Sequence, residues 1–168
     1  EIAAAWSQNA IDAAFVWYPV QAKIRENGKV MTTAGIVAKT GFPTFNGWVV
    51  HNKFAEANRA GLINFLKAMN EINGDYSKNK AAWNADSPKV KAVAANVGIT
   101  PAAVVSALEG ATYPDGEVVM SAAWMGGGAA TTIKSTADFL KSVGRINASA
   151  DSYAKFVNAD FAKAAAGK

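Results

Sequence analysis

The pattern of apolar residues changes character near Lys53, and that change constrains the chain more than any other feature. Before it, apolar residues come in compact runs between breakers, as in Ala13-Ala14-Phe15-Val16-Trp17 and Trp48-Val49-Val50. After it, Phe54, Ala57, Leu62, Phe65, Leu66, Met69 and Ile72 recur at spacings of three and four. A short continuous apolar run suits a buried strand, whereas the second spacing is that of an amphipathic helix. The pattern therefore predicts an α/β chain: a βαβ front piece followed by a helix-rich tail.

Punctuation fills in the elements. Residues 2–9 read as a short Ala-rich helix and Asp12 to Trp17 as a strand. Pro19 suits the first turn of a helix, where its missing N–H costs nothing, and Asn27-Gly28 suits the end. Lys29 to Thr33 reads as a second strand, and strand–helix–strand with short connections implies a parallel sheet. Residues 35–46 are looser, and Phe45 to His51 is a third extended segment. The amphipathic helix is expected to end near Asn73-Gly74, followed by a helix from Tyr76 to Trp83. Ser87-Pro88 and Thr100-Pro101 both carry a cap followed by Pro, the start signal of two further helices, the first stopping at Gly98. Residues 116–125 and 131–143 read as helices separated by Gly126-Gly127-Gly128, and Ser149 to Ala166 as the last.

Composition removes whole classes of function. The chain has 168 residues, 51% of them hydrophobic, and no cysteine. That is enough apolar material for one packed core, and it leaves no thiol for disulfides, catalysis or metal. No apolar run approaches the roughly 20 residues of a membrane-spanning helix. The net charge of +4 comes from lysines that lie singly among carboxylates, which reads as a solvated face and not as a nucleic-acid surface. The chain opens at Glu1 directly in helical composition, as if partway through a longer protein.

No catalytic constellation emerges. His51 is the only imidazole and reads as an edge histidine. There is no Gly-x-Ser-x-Gly elbow, no His-Glu-x-x-His, and no paired carboxylates, so neither a catalytic residue nor a metal or cofactor site is expected. Gly126-Gly127-Gly128 follows a helix instead of a strand and lacks the Gly-Lys-Ser/Thr of a phosphate loop, which leaves a tight turn between helices. Two segments stand out. Trp17-Tyr18-Pro19 sits where a strand end meets a helix start, the edge at which open α/β sheets bind ligands. Thr44-Phe45-Asn46 offers a hydroxyl, an aromatic face and an amide where the chain changes architecture. Ordinary core aromatics and turn residues are the competing reading of both.

Taken together, Ile2 to Trp6, Ile11 to Trp17 with Pro19, Gly28-Lys29-Val30, Pro43-Thr44, Trp48-Val49-Val50, Trp124 to Gly128, Thr136 to Leu140 and Tyr153 to Phe161 resemble the C-terminal part of solute-binding proteins of bacterial ABC importers. The branch is the taurine/alkylsulfonate-binding group within the nitrate/sulfonate/thiamine-precursor superfamily. The resemblance implies a partial bilobal periplasmic-binding-protein fold of type II. Residues 1–43 would end the second lobe, 44–51 cross the hinge, and 52–168 return over the first lobe. It implies a periplasmic monomer, its leader peptide in the missing N-terminal part, that delivers a small organic anion to an inner-membrane ABC permease. Trp17, Tyr18, Pro19, Thr44, Phe45 and Asn46 become the ligand-binding residues, the aromatics against the carbon chain and amides after Pro19 on the anion. Taurine-type members tend to carry Asp where Asn46 stands, so this chain departs from the group at that position. Nitrate or a thiamine-precursor pyrimidine as ligand, or an enzyme on the same scaffold, are the alternatives. An isolated half of such a protein is expected to be poorly stable.

Overall fold

A computed structural model describes residues 1–167. Its clearest helices begin where the punctuation places them. Helix α6 (Pro88–Val97) starts after Ser87, whose hydroxyl accepts the Val90 N–H at 3.5 Å, and stops at Gly98 in the left-handed region (φ 74°). Helix α7 (Pro101–Glu109) is capped by Thr100, whose Oγ1 accepts the Ala103 N–H at 3.2 Å. In each, the cap satisfies a donor that the first turn leaves open, and Pro occupies a position that needs no N–H. The two helices pack on each other, burying Val90 completely together with Ala94 and Val104.

The chain divides into two units. The first, residues 1–33 and 78–113, holds α6 and α7 with the short helices α1 (Ile2–Ser7) and α2 (Val20–Ile24), which pack together. The second, residues 34–77 and 114 onward, holds α3 (Ala34–Ala38), α4 (Asn52–Ala57), nearly all of α5 (Arg59–Lys78), α8 (Gly116–Val119), α9 (Gly128–Ser142) and α10 (Asp160–Ala165). Its buried residues are few and mostly small: Ala55, Gly74, Tyr76, Ala129 and Ala137. The Asn73 amide ties α5 to the start of α8 by donating to the Pro114 carbonyl at 3.2 Å. The Arg59 guanidinium lies 4.8 Å over the Phe161 ring of α10.

The expected sheet is absent. Among the described residues the structure contains no strand, and 55% of the chain is helical. The βαβ front piece, and with it the α/β class and the type II bilobal layout read from it, is therefore corrected to a helix-rich chain. Segments Asp12–Trp17, Lys29–Thr33 and Phe45–His51 are not strands. An apolar run states only that its side chains avoid water; a strand also needs a neighbouring backbone to pair its N–H and C=O groups. No strand forms in these segments, and most of their side chains face solvent: Trp17 is 79% exposed, Met31 90% and Val49 96%.

Smaller differences have local causes. The amphipathic helix breaks at Asn58, not at Gly74. The Asn58 side chain donates to the Phe54 carbonyl at 2.9 Å, the local bond by which Asn competes with helix continuation. Gly74, a helix weakener of about 1 kcal/mol relative to Ala, is instead carried through inside α5 and buried. The helix expected over Tyr76–Trp83 is split between the end of α5 and a 3₁₀ turn at Lys80–Ala82. The final stretch divides into a 3₁₀ turn at Ala154–Phe156 and α10. The start of the stretch read as loose, residues 35–46, lies in α3.

The glycine triplet is a tight turn, as its sequence suggests. A Cβ on Gly126 would fall 2.8 Å from the Ser121 carbonyl oxygen, one on Gly128 would collide with the Ala123 carbonyl, and Gly127 adopts φ 142°. The triplet brings the start of α9 back onto the turn after α8, leaving no cradle open for a phosphate.

Much of the exposed apolar surface lies between Phe15 and Phe54, in the segments that lack strand partners.

Candidate functional site

Trp17, Tyr18 and Pro19 belong to the first unit and lead into α2. Pro19 stands just before the helix at φ −87°, and the Tyr18–Pro19 peptide bond is cis. Trp17 projects into solvent and Tyr18 is half-buried. The N–H groups of the first turn are partly taken: Gln21 donates to the Trp17 carbonyl at 3.0 Å and Ala22 to the Pro19 carbonyl at 3.1 Å. Val20 N–H takes no backbone partner. The expectation that several amides after Pro19 face an anion narrows to one, because α2 is only five residues long and its first turn closes on itself.

Thr44, Phe45 and Asn46 belong to the second unit, in an unpaired stretch running from residue 42 to 51. All three are exposed, Phe45 at 40%. Neither the Thr44 nor the Asn46 side chain bonds to another described residue. What fixes the stretch is Trp48, set edge-on against Phe65 of α5 with ring centroids 5.0 Å apart and planes at 89°. A contact of this geometry contributes about 1 kcal/mol beyond the area it covers. Thr44 to Asn46 therefore hang just ahead of an anchored indole, their polar groups free for an outside partner.

The two segments share one electrostatic property. Residues 13–22 and 40–50 contain no Asp, Glu, Lys, Arg or His. Trp17-Tyr18-Pro19 offers two aromatic rings and a phenolic hydroxyl beside the Val20 N–H, and Thr44-Phe45-Asn46 offers a hydroxyl, an aromatic ring and a carboxamide. Each segment by itself can contact a ligand by packing and neutral hydrogen bonds, and neither carries a carboxylate, amine or imidazole. His51 is exposed at the start of α4.

Sequence reasoning did not single out one shallow groove of about 250 Å³ in the first unit, lined by Trp6, Ser7, Lys23, Glu26 and Asn27. The Trp6 Nε1–H donates to Asn27 Oδ1 at 2.8 Å, and Lys23 pairs with Glu26 at 2.8 Å. Gly28 makes room for the indole, since a Cβ there would approach Trp6 Cζ2 to 3.0 Å. Its polar groups already satisfy one another, and the spacing of 21 residues between Trp6 and Asn27 gave no signal along the chain. Among the described residues no three His, Cys, Asp or Glu side chains gather as a metal would require. No single described helix is long and apolar enough to cross a membrane.

A resolved titration effect lies away from both segments. On α9 the Lys134 ammonium, 2.6 Å from Asp138 Oδ1, holds that carboxyl below its ordinary range. The Ser149 hydroxyl, buried and short of a fully formed hydrogen bond, acts in the same direction.

With this geometry in place, comparison with known proteins gives one informative match. The chain is 31% identical over 160 residues to the taurine-binding periplasmic protein of Escherichia coli (strain K12). The match takes in 95% of this chain and 49% of the relative, its C-terminal part. The chain thus spans about half the length of the relative it matches. This bears out the resemblance read from the residues. No family model matches.

Proposed function

We propose that this chain is part of the solute-binding component of an ABC importer. That component captures a small organic anion, taurine or another alkanesulfonate, and presents it to a permease in the inner membrane. The observation that carries the reading is the 31% identity along 95% of the chain to a taurine-binding periplasmic protein. The relative's periplasmic location supports the same location for this protein. The chemistry of the two exposed segments is compatible with it, since they supply packing faces and neutral donors but no reacting group.

On this reading Trp17 and Phe45 cover the carbon chain of the ligand. Tyr18, Thr44 and Asn46 donate to its anionic oxygens, joined by the Val20 N–H beyond Pro19. Neutral donors suffice for an anion when several converge, because each charge-assisted hydrogen bond contributes about 1.5–3 kcal/mol. The unpaired apolar segments are the surface that the remainder of the protein covers. A planar nitrogenous ring, as in a thiamine precursor, is the second reading, favoured by the exposed indole of Trp17 and ring of Phe45.

Titration calorimetry of the full-length protein with taurine, ethanesulfonate, nitrate and an aminopyrimidine tests this. Saturable binding of a sulfonate, with no turnover, is expected. Binding of the pyrimidine alone would move the assignment to the second reading, and chemical conversion of any of these ligands would replace a binding protein by an enzyme.

A further inference from the structure

We infer that Trp6 and Asn27 are positioning residues for ligand capture: their hydrogen bond fixes the far end of α2, and α2 in turn sets the direction of Trp17-Tyr18-Pro19. The inference rests on the proposed function and deepens it. Its basis lies wholly within the first unit, where α1 and α2 pack together. Helix α2 is five residues long, has no side-chain cap and contains no buried residue. Val20, Gln21 and Ile24 are only half-buried. A helix this short does not hold itself together in water, so its place is set by contacts outside it.

Those contacts gather at its C-terminal end. The Trp6 Nε1–H of α1 donates to Asn27 Oδ1 at 2.8 Å, across 21 residues of sequence. Beside this bond, a Cβ on Gly28 would come within 3.0 Å of Trp6 Cζ2 and 2.8 Å of the Ile24 carbonyl oxygen. Glycine thus lets ring and backbone approach, and the Gly28 N–H donates to that same Ile24 carbonyl at 2.8 Å. The neighbouring Lys23–Glu26 pair is exposed on both sides and contributes little. At the opposite end the Gln21 N–H donates to the Trp17 carbonyl at 3.0 Å. That bond makes Trp17 part of the first turn, so a rotation of α2 carries the Trp17 backbone with it. At about 1.5 Å of rise per residue the helix is about 8 Å long, and a tilt at one end is delivered to the other.

Calorimetry on the full-length protein with taurine and ethanesulfonate tests this, each variant first shown to be folded by a thermal melt. Trp6→Phe keeps an aromatic ring and removes the donor, whereas Asn27→Leu keeps the bulk and removes the acceptor. Each is expected to weaken sulfonate binding about fivefold, the equivalent of one neutral hydrogen bond. The double variant is expected to lose no more, because both changes remove the same bond. Asn27→Asp retains an acceptor for the indole, and its affinity is expected to stay close to that of the unsubstituted protein. Thr100→Ala, which removes the cap of α7 in the same unit, is expected to lower the melting temperature and leave the affinity alone. If one of the two single variants does not fold, the other decides. Unchanged affinity in whichever is folded, or an affinity loss in Thr100→Ala as large as theirs, overturns the inference while leaving the proposed function standing. Silence of the unsubstituted protein toward both sulfonates overturns the proposed function, and this inference with it.

Discussion

Two valines make the sharpest test of the packing. Val90 on α6 is fully buried, whereas Val49 is 96% exposed. Replacing either by Ala removes the same two carbons. At about 0.8 kcal/mol per buried methylene the transfer loss at Val90 is roughly 1.6 kcal/mol, and a cavity that does not collapse adds up to about 1 kcal/mol. Ala is the better helix former by about half a kcal/mol, which offsets part of this. Val90→Ala should therefore destabilise the protein by about 1–2 kcal/mol, visible as a lower urea midpoint at unchanged m-value. In the 168-residue chain Val49→Ala should fall within about 0.5 kcal/mol of zero, as for any substitution that loses no contacts. Equal effects of the two substitutions in that chain would refute the packing described here. In the full-length protein a Val49→Ala cost close to that of Val90→Ala is expected from the proposed function, because the rest of the molecule then covers this segment.

Three further outcomes are expected. Gly128→Ala should be among the most damaging small substitutions, several kcal/mol by thermal melt, because its Cβ meets the rigid Ala123 carbonyl and not a movable side chain. Thr100→Ala should cost about 1 kcal/mol while Thr100→Gly costs only a few tenths, a contrast that isolates the cap at the start of α7. Asp138 binds its proton less readily when folded than in the unfolded chain, so its stabilising effect is complete above the ordinary carboxyl value near 3.8 and is lost as pH falls through the lowered folded value. Asn at position 138 should remove that acid-side dependence from a pH series of melts while a Lys141 substitution leaves most of it, since Lys134 is the dominant cause.

Local signals proved most legible where the physics is local. Ser87-Pro88, Gly98 and Thr100-Pro101 fixed α6 and α7, because a cap, a first-turn proline and a left-handed glycine act within one turn of backbone. The glycine triplet was likewise readable as a turn. The resemblance of the whole string to taurine-type binding proteins also needed only the sequence, and the similarity found over 95% of the chain agrees with it. Residues 44–46 could be noticed as an uncharged polar cluster, but only the structure shows that Trp48 is pinned on Phe65 while the three ahead of it stay free.

Tertiary structure alone decided the fate of the apolar runs. Phe15 to Trp17 and Trp48 to Val50 have strand composition, yet composition expresses a wish for burial without supplying the partner. A helix satisfies its backbone from its own residues, so its limits are written within the segment. A strand's hydrogen bonds belong to another stretch of chain, and whether that stretch lies alongside is a property of the assembled molecule.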